Sequence, residues 1–464
     1  MGAWGTGTLV AFTANIITDE KLEYNGATYE GTSLGLLEGM ICWGAMVICI
    51  PVGYLVGIIG RKKTLLLTII PFDAGWALLY WANSTGLGLG ARFVLGVAGG
   101  AFYVGCPLYT MEIAEIKLRG IFGTFFQLFI NIGILYAQVM GWIFHDNLGG
   151  YIISLWIIPN VFFIAYIFQP ESPVYLLKND KTEKCRKVLK YFRGEDYDPS
   201  AEMKAIQSDI DKERDLKGKC LETLKTKAAK KALTICFFMM FFQQFTGINV
   251  VTFYTGNIFE TAKLPISDYL QVVMVGVIRV MITMVSSATI DKAGRKVLFL
   301  ISTVLMLVGL LSIGIFFTVH DRLRPSEDTI RILAWFPVLG ACIFNIGFCL
   351  GMGPIPWIEI VEIVPPAIKA PIAGVAAAVN WLFGSMVSFG YPMVKDAIGT
   401  DTTFYIFVGP GFETQFPCII PLQGRRSFSA KYLGVPGRNG TRKPLQAINK
   451  QCLWRKEWKN RSSE

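Results

Sequence analysis

The stretch Phe241-Phe-Gln-Gln-Phe-Thr-Gly-Ile-Asn-Val-Val-Thr-Phe-Tyr-Thr255 guides the interpretation of the whole chain. It places three amide side chains, Gln243, Gln244 and Asn249, in an apolar segment of membrane-spanning length. Such amides cost free energy unless they face a partner or a water-filled cavity. Gly247 lies between them and allows a helix to unwind locally. Because amides both donate and accept hydrogen bonds, their grouping around a cavity suits a neutral, hydroxyl-rich ligand.

The composition is that of a membrane protein. Of 464 residues, 53% are hydrophobic and only 17% are charged. The net charge of +10 lies almost entirely in residues 422–464, which carry eleven Lys/Arg and two Glu, so we expect no nucleic-acid partner. The ten cysteines lack the spacing of a metal site or a disulfide framework. The sequence has no GxxxxGK[ST] motif and no nucleophile–base pair, which predicts neither an ATP site, nor an enzyme, nor a cofactor.

Apolar segments of spanning length predict an all-α polytopic membrane protein. We place eleven, at residues 1–17, 34–58, 64–82, 88–108, 120–143, 151–168, 231–258, 266–289, 297–319, 333–359 and 367–394. They form an amino-terminal six-helix bundle (1–169) and a carboxyl-terminal bundle (231–408). Residues 170–230 between them are rich in both charges and predict either short amphipathic helices or a disordered linker.

Lys and Arg in the short loops predict the orientation in the membrane. They concentrate in the loops on one side, which the positive-inside rule makes cytoplasmic, so the amino terminus is expected inside the cell. Asn83-Ser-Thr85 is a glycosylation sequon in a loop predicted on the opposite side.

The two halves repeat each other. Gly60-Arg-Lys62 follows the second segment and Gly294-Arg-Lys296 follows the eighth. An acidic and a basic residue seven positions apart follow both the fourth and the tenth segments, namely Glu112 with Arg119 and Glu362 with Lys369. Repeated six-span units with a ligand at their interface are typical of secondary transporters.

The carboxyl terminus departs from this repeat. A twelfth segment should follow Thr402, but Gly409-Pro-Gly411 interrupts it after about seven apolar residues. We therefore expect a missing or aberrant twelfth helix, followed by a basic, unstructured tail over residues 409–464.

Seven motifs, in this order and spacing, resemble the sugar porter family of the major facilitator superfamily, and within it the insect facilitated trehalose transporter-like proteins. They are Gly60-Arg-Lys62, Arg92-Phe-Val-Leu-Gly96, Pro107-Leu-Tyr-Thr-Met-Glu-Ile-Ala114, Pro170-Glu-Ser-Pro173, Gln243-Gln-Phe-Thr-Gly-Ile-Asn249, Asp291-Lys-Ala-Gly-Arg-Lys296 and Gly353-Pro-Ile-Pro-Trp357. The resemblance covers about residues 1–408. It implies a major facilitator fold in the plasma membrane and alternating-access transport of a neutral sugar, such as trehalose, glucose or another hexose.

The resemblance also implies a substrate site. Its candidates are Gln127, Gln243, Gln244, Asn249 and Trp357, with Asn380 and Trp381 as weaker ones. The chemistry agrees, because amides pair with adjacent sugar hydroxyls and an indole stacks on the apolar face of a pyranose. The alternatives are an interhelical hydrogen bond for Gln127 and a packing role for Trp357.

Two residues within this site differ from the relatives. Arg279 stands where glucose-transporting relatives have asparagine, and Cys349 stands where some have an acid. A cation inside a membrane is costly and usually functional. Arg279 either lines the sugar cavity, or turns toward a carbonyl group or the outer surface.

A second set of residues is charged and lies at predicted cytoplasmic helix ends. In the family, such pairs latch the two halves together and part when the cavity opens inward. The alternative is that these charges only obey the positive-inside rule. The set comprises Arg61, Lys62, Glu112, Arg119, Asp291, Arg295, Lys296, Glu362 and Lys369.

The first segment carries no Asp, Glu or His between Gly2 and Ile17, where proton-coupled relatives place an acid. This favours uncoupled, facilitated transport. The unusual carboxyl terminus leaves one alternative, a non-transporting sugar receptor or an inactive transporter-like protein. The oligomeric state cannot be predicted from these patterns.

Overall fold

A computed structural model describes residues 21–413, apart from residues 31, 116–118, 218–223, 263, 265, 324–325, 327–328, 330–331 and 365–368. This part of the chain begins with a β-hairpin, in which β1 (Lys21–Tyr24) pairs antiparallel with β2 (Ala27–Glu30). The turn is Asn25-Gly26, with φ angles of 48° and 86°, as this dipeptide favours in two-residue hairpins. Tyr29 packs on Leu37 and thereby fixes the hairpin to the first helix.

The amino-terminal bundle is built from α1 (Thr32–Ile59), α2 (Arg61–Leu67), α3 (Ile69–Tyr80), α4 (Thr85–Ile113), α5 (Arg119–Ile143) and α6 (Leu148–Ile167). Its core is aromatic and includes the almost fully buried Trp76, Phe102 and Tyr151. Helices α1 and α4 approach so closely that a Cβ on Gly96 would collide with the backbone of Ile41. Small residues allow such approaches between membrane helices.

Three helices follow the first bundle: α7 (Pro173–Lys178), α8 (Thr182–Arg193) and α9 (Ser200–Lys217). They share a small apolar core that includes Leu177, Cys185 and Leu189. Arg193 on α8 donates to the carbonyl of Ile113 at 2.9 Å and pairs with Glu202 at 3.0 Å. These bonds tie the linker helices to the end of α4.

The carboxyl-terminal bundle contains α10 (Lys227–Phe245), α11 (Ile248–Phe253), α12 (Thr255–Ala262), α13 (Asp268–Ala293), α14 (Arg295–Phe317), α15 (Trp335–Gly347), α16 (Pro354–Ile363), α17 (Lys369–Ile398) and α18 (Thr400–Glu413). Short π-helical segments follow α14 (Thr318–Leu323) and α15 (Phe348–Met352).

Nine spans in the described part are long and apolar enough to cross a membrane, and they correspond to nine of the eleven predicted segments. The predicted segment 64–82 is formed by α2 and α3, which meet at Thr68. The predicted segment 1–17 lies outside the described residues. The expectation of an all-α polytopic protein is confirmed for the part that the structure describes.

The expectation of a missing twelfth helix is not confirmed. Helix α18 continues through Gly409, Pro410 and Gly411 to Glu413 instead of ending at Val408. Packing explains the difference, because a Cβ on Gly411 would lie only 2.8 Å from the side chain of Leu307. Tertiary contacts thus outweigh the low helix propensity of Gly and Pro. Residues 414–464, which include most of the predicted tail, lie outside the described residues.

Two pairs of helices join the bundles, α1 with α17 and α5 with α13. At Gly35 on α1, a Cβ would lie 3.2 Å from both the carbonyl oxygen of Phe389 and the ring of Pro392 on α17. At Gly276 on α13, a Cβ would collide with the side-chain oxygen of Gln138 on α5. The predicted polar site residues lie on these helices and on α10, α11 and α16.

Candidate functional site: an amide relay in the carboxyl-terminal bundle

Four amide side chains form a continuous hydrogen-bonded chain, which we call the amide relay. Asn249 Nδ2 donates to Gln244 Oε1, Gln244 Nε2 donates to Asn380 Oδ1, and Asn380 Nδ2 donates to Gln243 Oε1, each at 2.8 Å. Gln243 Nε2 donates to the carbonyl of Met352 at 2.8 Å and to that of Gly353 at 3.1 Å. Gln243, Gln244 and Asn380 are buried, whereas Asn249 is half-buried. The relay therefore runs from a buried backbone to a more accessible end at Asn249.

Glycines give the relay its geometry. Gly247 has a φ of 80° and separates α10 from α11, as the sequence predicted. A Cβ at Gly247 would lie 3.0 Å from the ring of Phe407, so both the backbone angle and the space require glycine. A Cβ at Gly384 on α17 would lie 2.8 Å from Asn249 Nδ2. Glycine at this position lets the relay lie directly against α17.

The carbonyls at the buried end come from a second broken helix. The π-helical segment Phe348–Met352 separates α15 from α16, which begins with Pro354 at its first position. Proline lacks an N–H group, and a π-helical turn alters the regular bonding of the helix. These breaks free carbonyl oxygens for side chains. Gln243 thus links the break in one helix to the break in another.

Arg279 on α13 lies one helical turn beyond the relay. It is 4% exposed, and its Nη1 donates to the hydroxyl of Thr252 at 3.0 Å. Thr252 follows Asn249 by three residues on α11, so the two side chains lie on the same face. Of the two alternatives for Arg279, the structure places it inside the protein, where it contacts a hydroxyl group rather than a carbonyl.

Polar residues of the amino-terminal bundle approach from the opposite side. Asn131 Nδ2 on α5 donates to the hydroxyl of Thr283 on α13 at 2.7 Å and lies 3.8 Å from Cys349 Sγ. Thr283 in turn donates to the carbonyl of Arg279. Gln127 precedes Asn131 by four residues, so it occupies the same face of α5, where it is half-buried. These residues bring both bundles to one polar interface.

An aromatic cluster lies at the same interface. The ring of Tyr103 on α4 makes edge contacts with Trp357 at 5.2 Å, with Trp381 at 5.3 Å and with Phe126 at 5.3 Å. Tyr103 and Phe126 belong to the first bundle, and the two tryptophans to the second. Trp357 therefore contacts the first bundle across the interface, and it is half-buried.

The interface retains buried polar atoms that have no hydrogen-bond partner among the described residues. They include donors and acceptors: Arg279 Nε, Trp381 Nε1, Asn131 Oδ1 and Gln138 Oε1. Buried polar groups in native proteins are nearly always bonded to protein, water or ligand. Water or a polar ligand at this interface would satisfy these donors and acceptors.

Among the predicted latch residues of the first bundle, Arg61 and Glu112 form an ion pair at 2.7 Å. Ser172 donates its hydroxyl to the other oxygen of Glu112. Glu171 Oε1 accepts the backbone N–H groups of Arg61 and Lys62 at 3.0 Å, and so caps the start of α2. Lys62 Nζ donates to the carbonyl of Ile167 at 2.7 Å. These contacts all lie within one bundle and its linker.

In the second bundle, Arg295 pairs with Glu359 at 3.2 Å. The sequence predicted Glu362 for this role, one helical turn later on α16. Lys296 is half-buried beside Arg295 on α14. The side chains of Arg119, Asp291, Glu362 and Lys369 lie outside the described residues, so the latch that they were predicted to form remains a prediction.

The sequence identified all four relay residues but missed Asn131, Thr252, Thr283, Tyr103 and Glu359. Asn131 could have been found from its spacing of four from Gln127, and Thr252 from its spacing of three from Asn249. The glycosylation candidate Asn83 is exposed between α3 and α4. The adjacent Ser84 caps α4 by accepting the N–H of Leu87 at 3.4 Å.

Comparison with known proteins matches this architecture. The family model for "Sugar (and other) transporter" matches residues 3–412. The facilitated trehalose transporter Tret1 of Polypedilum vanderplanki is 33% identical over 408 residues, covering 87% of this chain and 78% of that protein. Tret1 of Anopheles gambiae is 33% identical over 399 residues, and this chain spans 48% of its length.

Solved structures show the same fold. The xylose transporter XylE of E. coli, in a partially occluded inward-open conformation, aligns with a TM-score of 0.72 at 21% identity, covering 89% of this chain and 94% of XylE. XylE bound to 6-bromo-6-deoxy-D-glucose, described as a major facilitator superfamily proton:xylose symporter, aligns equally well at 22% identity. With its broken helices, amide relay and two joined bundles, the chain belongs to the sugar transporter family.

Proposed function

We propose that this chain moves a hydroxyl-rich sugar across a membrane by alternating access, without coupling to an ion. The observation that carries the proposal is the amide relay, which ends at Asn249 beside a polar interface between two bundles. A sugar hydroxyl both donates and accepts, so it can satisfy the unpartnered donors and acceptors there. Discontinuous helices at the junction of repeated bundles are the usual location of a transporter's substrate site.

The substrate-binding residues in this proposal are the relay residues together with Gln127, Trp357 and Arg279. Amides orient the hydroxyl groups of the sugar ring, and the indole covers its apolar face. The names of the insect relatives support a neutral sugar such as trehalose, and XylE is named for xylose. The first panel of substrates to test is therefore trehalose, glucose and other hexoses. The other partner of the chain is the lipid bilayer.

Uncoupled transport is supported by the relatives that are named facilitated transporters. XylE, by contrast, is named a proton:xylose symporter. Glu38 on α1 is a buried carboxylate that pairs with Arg92 at 3.7 Å within the first bundle. Sugar uptake into proteoliposomes should consequently be unchanged when a proton gradient is imposed. Concentrative uptake driven by that gradient would contradict the uncoupled mechanism.

The decisive experiment is counterflow in proteoliposomes with labelled trehalose, glucose and xylose. A transporter exchanges external label for unlabelled internal sugar, whereas a receptor binds sugar without flux. We expect saturable counterflow with at least one sugar of the panel. The receptor alternative rested on a missing twelfth helix, and α18 occupies that position over 14 residues. Binding without counterflow would favour the receptor.

The location in the plasma membrane and the cytoplasmic amino terminus also belong to this proposal. The basic loops that carry Arg61 and Arg295 then face the cytoplasm, and Asn83 faces the exterior. Glycosidase treatment of protein from an insect cell line should increase gel mobility, and Asn83→Gln should abolish that change. A wild-type chain whose gel mobility does not change on glycosidase treatment would contradict this orientation of the loop.

A further inference from the structure

Arg279 has an environment that a sugar without charge does not explain. It lies within the membrane-spanning helix α13 and is 4% exposed. Its Nη1 is bonded to the neutral hydroxyl of Thr252, and its Nε is buried without a partner. The ion pairs found among the described residues involve other arginines, including Arg61, Arg92 and Arg295. No described carboxylate balances the charge of Arg279.

The surrounding side chains provide no carboxylate either. Arg279 interacts with the thiol of Cys349, which lies 3.8 Å from Asn131 Nδ2, and Asn131 Oδ1 is itself a buried acceptor without a partner among the described residues. A lone cation in the interior of a membrane protein is costly, and such residues usually pair with another charge or with a ligand. A guanidinium group offers a planar set of donors that matches a carboxylate.

The location relates Arg279 to the sugar site. Thr252, which accepts its hydrogen bond, lies one turn after Asn249, the accessible end of the relay. Arg279 therefore adds a charged donor next to amides that bind hydroxyl groups. A molecule that satisfies both carries several hydroxyls and one anionic group on the same small ring.

We propose that Arg279 binds the carboxylate of a monoanionic sugar, a hexuronate, while the amide relay binds its hydroxyl groups. This inference rests on the proposed function and extends its substrates from neutral sugars to sugar acids. Glucuronate and glucose provide a matched pair, because they share the ring and differ at one carbon. A charge-assisted hydrogen bond corresponds to about 10- to 100-fold in affinity, so glucuronate should half-saturate counterflow at correspondingly lower concentrations than glucose.

The test compares the full-length chain with Arg279→Asn in proteoliposomes. We expect Arg279→Asn to raise the half-saturating concentration of glucuronate about 10- to 100-fold more than it raises that of glucose. Arg279→Lys keeps the charge and should retain a preference for glucuronate, which covers the case in which the Asn variant fails to fold. Arg186→Gln removes an exposed surface charge from α8 and should behave as wild type.

Other outcomes overturn the inference. Counterflow of glucose alone, with glucuronate neither carried nor inhibitory, would show that Arg279 binds no sugar carboxylate. Glucose counterflow that requires chloride, measured against isethionate, would identify a free inorganic anion as the partner instead. If neither these two sugars nor trehalose and xylose are exchanged, the proposed function fails. The inference is then judged by the melting temperature of the purified chain. In wild type, glucuronate must raise this temperature more than glucose does. In Arg279→Asn, the two sugars must have the same effect.

Discussion

Gln244 and Asn380 are joined by a hydrogen bond of 2.8 Å although 136 residues separate them in the sequence. The bond connects α10 to α17, and both side chains are buried. Each amide also bonds to a further amide, so neither can turn without breaking two bonds. The polar wall of the site is thus a single connected unit.

Replacing Gln244 should break this unit in the middle. Gln244→Ala leaves Asn380 Oδ1 and Asn249 Nδ2 without their partners, at a cost of about 1–3 kcal/mol for each unsatisfied group. We expect sugar uptake to fall at least about tenfold while the protein still reaches the cell surface. Gln207→Ala on the linker helix α9 is the matched control and should retain uptake. Wild-type uptake by Gln244→Ala would rule out the relay as a substrate site.

Gly384 offers a test that leaves every polar group in place. In Gly384→Ala the new methyl group would lie 2.8 Å from Asn249 Nδ2 and displace the accessible end of the relay. Such overpacking costs about 1–3 kcal/mol, which predicts a rise of about tenfold in the half-saturating sugar concentration. Gly390→Ala on the same helix has no heavy atom within 4 Å of its new Cβ and should transport normally. Equal kinetics of the two variants would contradict the described packing.

The pair between Arg295 and Glu359 should stabilise the second bundle. Glu359 is nearly buried, so Glu359→Gln removes a charge-assisted hydrogen bond worth about 1.5–3 kcal/mol. We expect a lower melting temperature of the purified protein. Glu183→Gln removes an exposed partner 3.9 Å from Arg186 and should leave the melting temperature unchanged. A Glu359→Gln variant as stable as wild type would show that the pair contributes nothing.

Cys185 reports on the packing of the linker helices. Burial raises the pKa of its thiol from 9.0 to about 11. Because the thiolate is the reactive form, the pKa alone should slow maleimide labelling at pH 8 about a hundredfold. A cysteine at the neighbouring exposed position, Lys184→Cys in a Cys185→Ala background, should label rapidly. Equally fast labelling of both would mean that the linker core is open.

The same shift predicts a pH dependence. The pKa is higher in the folded than in the unfolded state, so the contribution to stability is complete below pH 9 and is lost as pH rises toward about 11. The melting temperature of wild type should therefore fall more steeply than that of Cys185→Ala over this interval. Parallel curves for the two proteins would contradict the buried thiol.

Particular residues show how far the sequence could lead. Gln243, Gln244 and Asn249 were predictable because amides in an apolar helix need partners, and Gly247 because a break there needs a positive φ. Asn131 and Thr283 were not predictable. Their bond joins residues that are 152 positions apart in the sequence, and a Thr hydroxyl in a helix usually donates to a backbone carbonyl instead. Glu359 was missed because the repeat between the halves pointed to Glu362.

For the last described helix, α18, local sequence preference is a misleading guide. The dipeptide Gly409-Pro410 predicts a helix end from local preference, yet α18 continues because Phe404 and Phe407 are buried among its neighbours. Local propensity is a weak prior that packing overrides. No pattern within residues 402–411 encodes those neighbours, which lie on α14 and at Gly247.

The orientation of every amide in the relay follows from the break between α15 and α16. The carbonyls of Met352 and Gly353 can only accept, so Gln243 must turn its NH₂ group toward them and its oxygen toward Asn380. Each amide of the relay in turn fixes the orientation of the next one. Reversing any one of them would place two NH₂ groups, or two oxygens, against each other. Asn249 is left at the accessible end with an oxygen that accepts no hydrogen bond from the part of the chain that the structure describes. In the proposed site, this stretch of main chain would thereby set the polarity that the sugar meets.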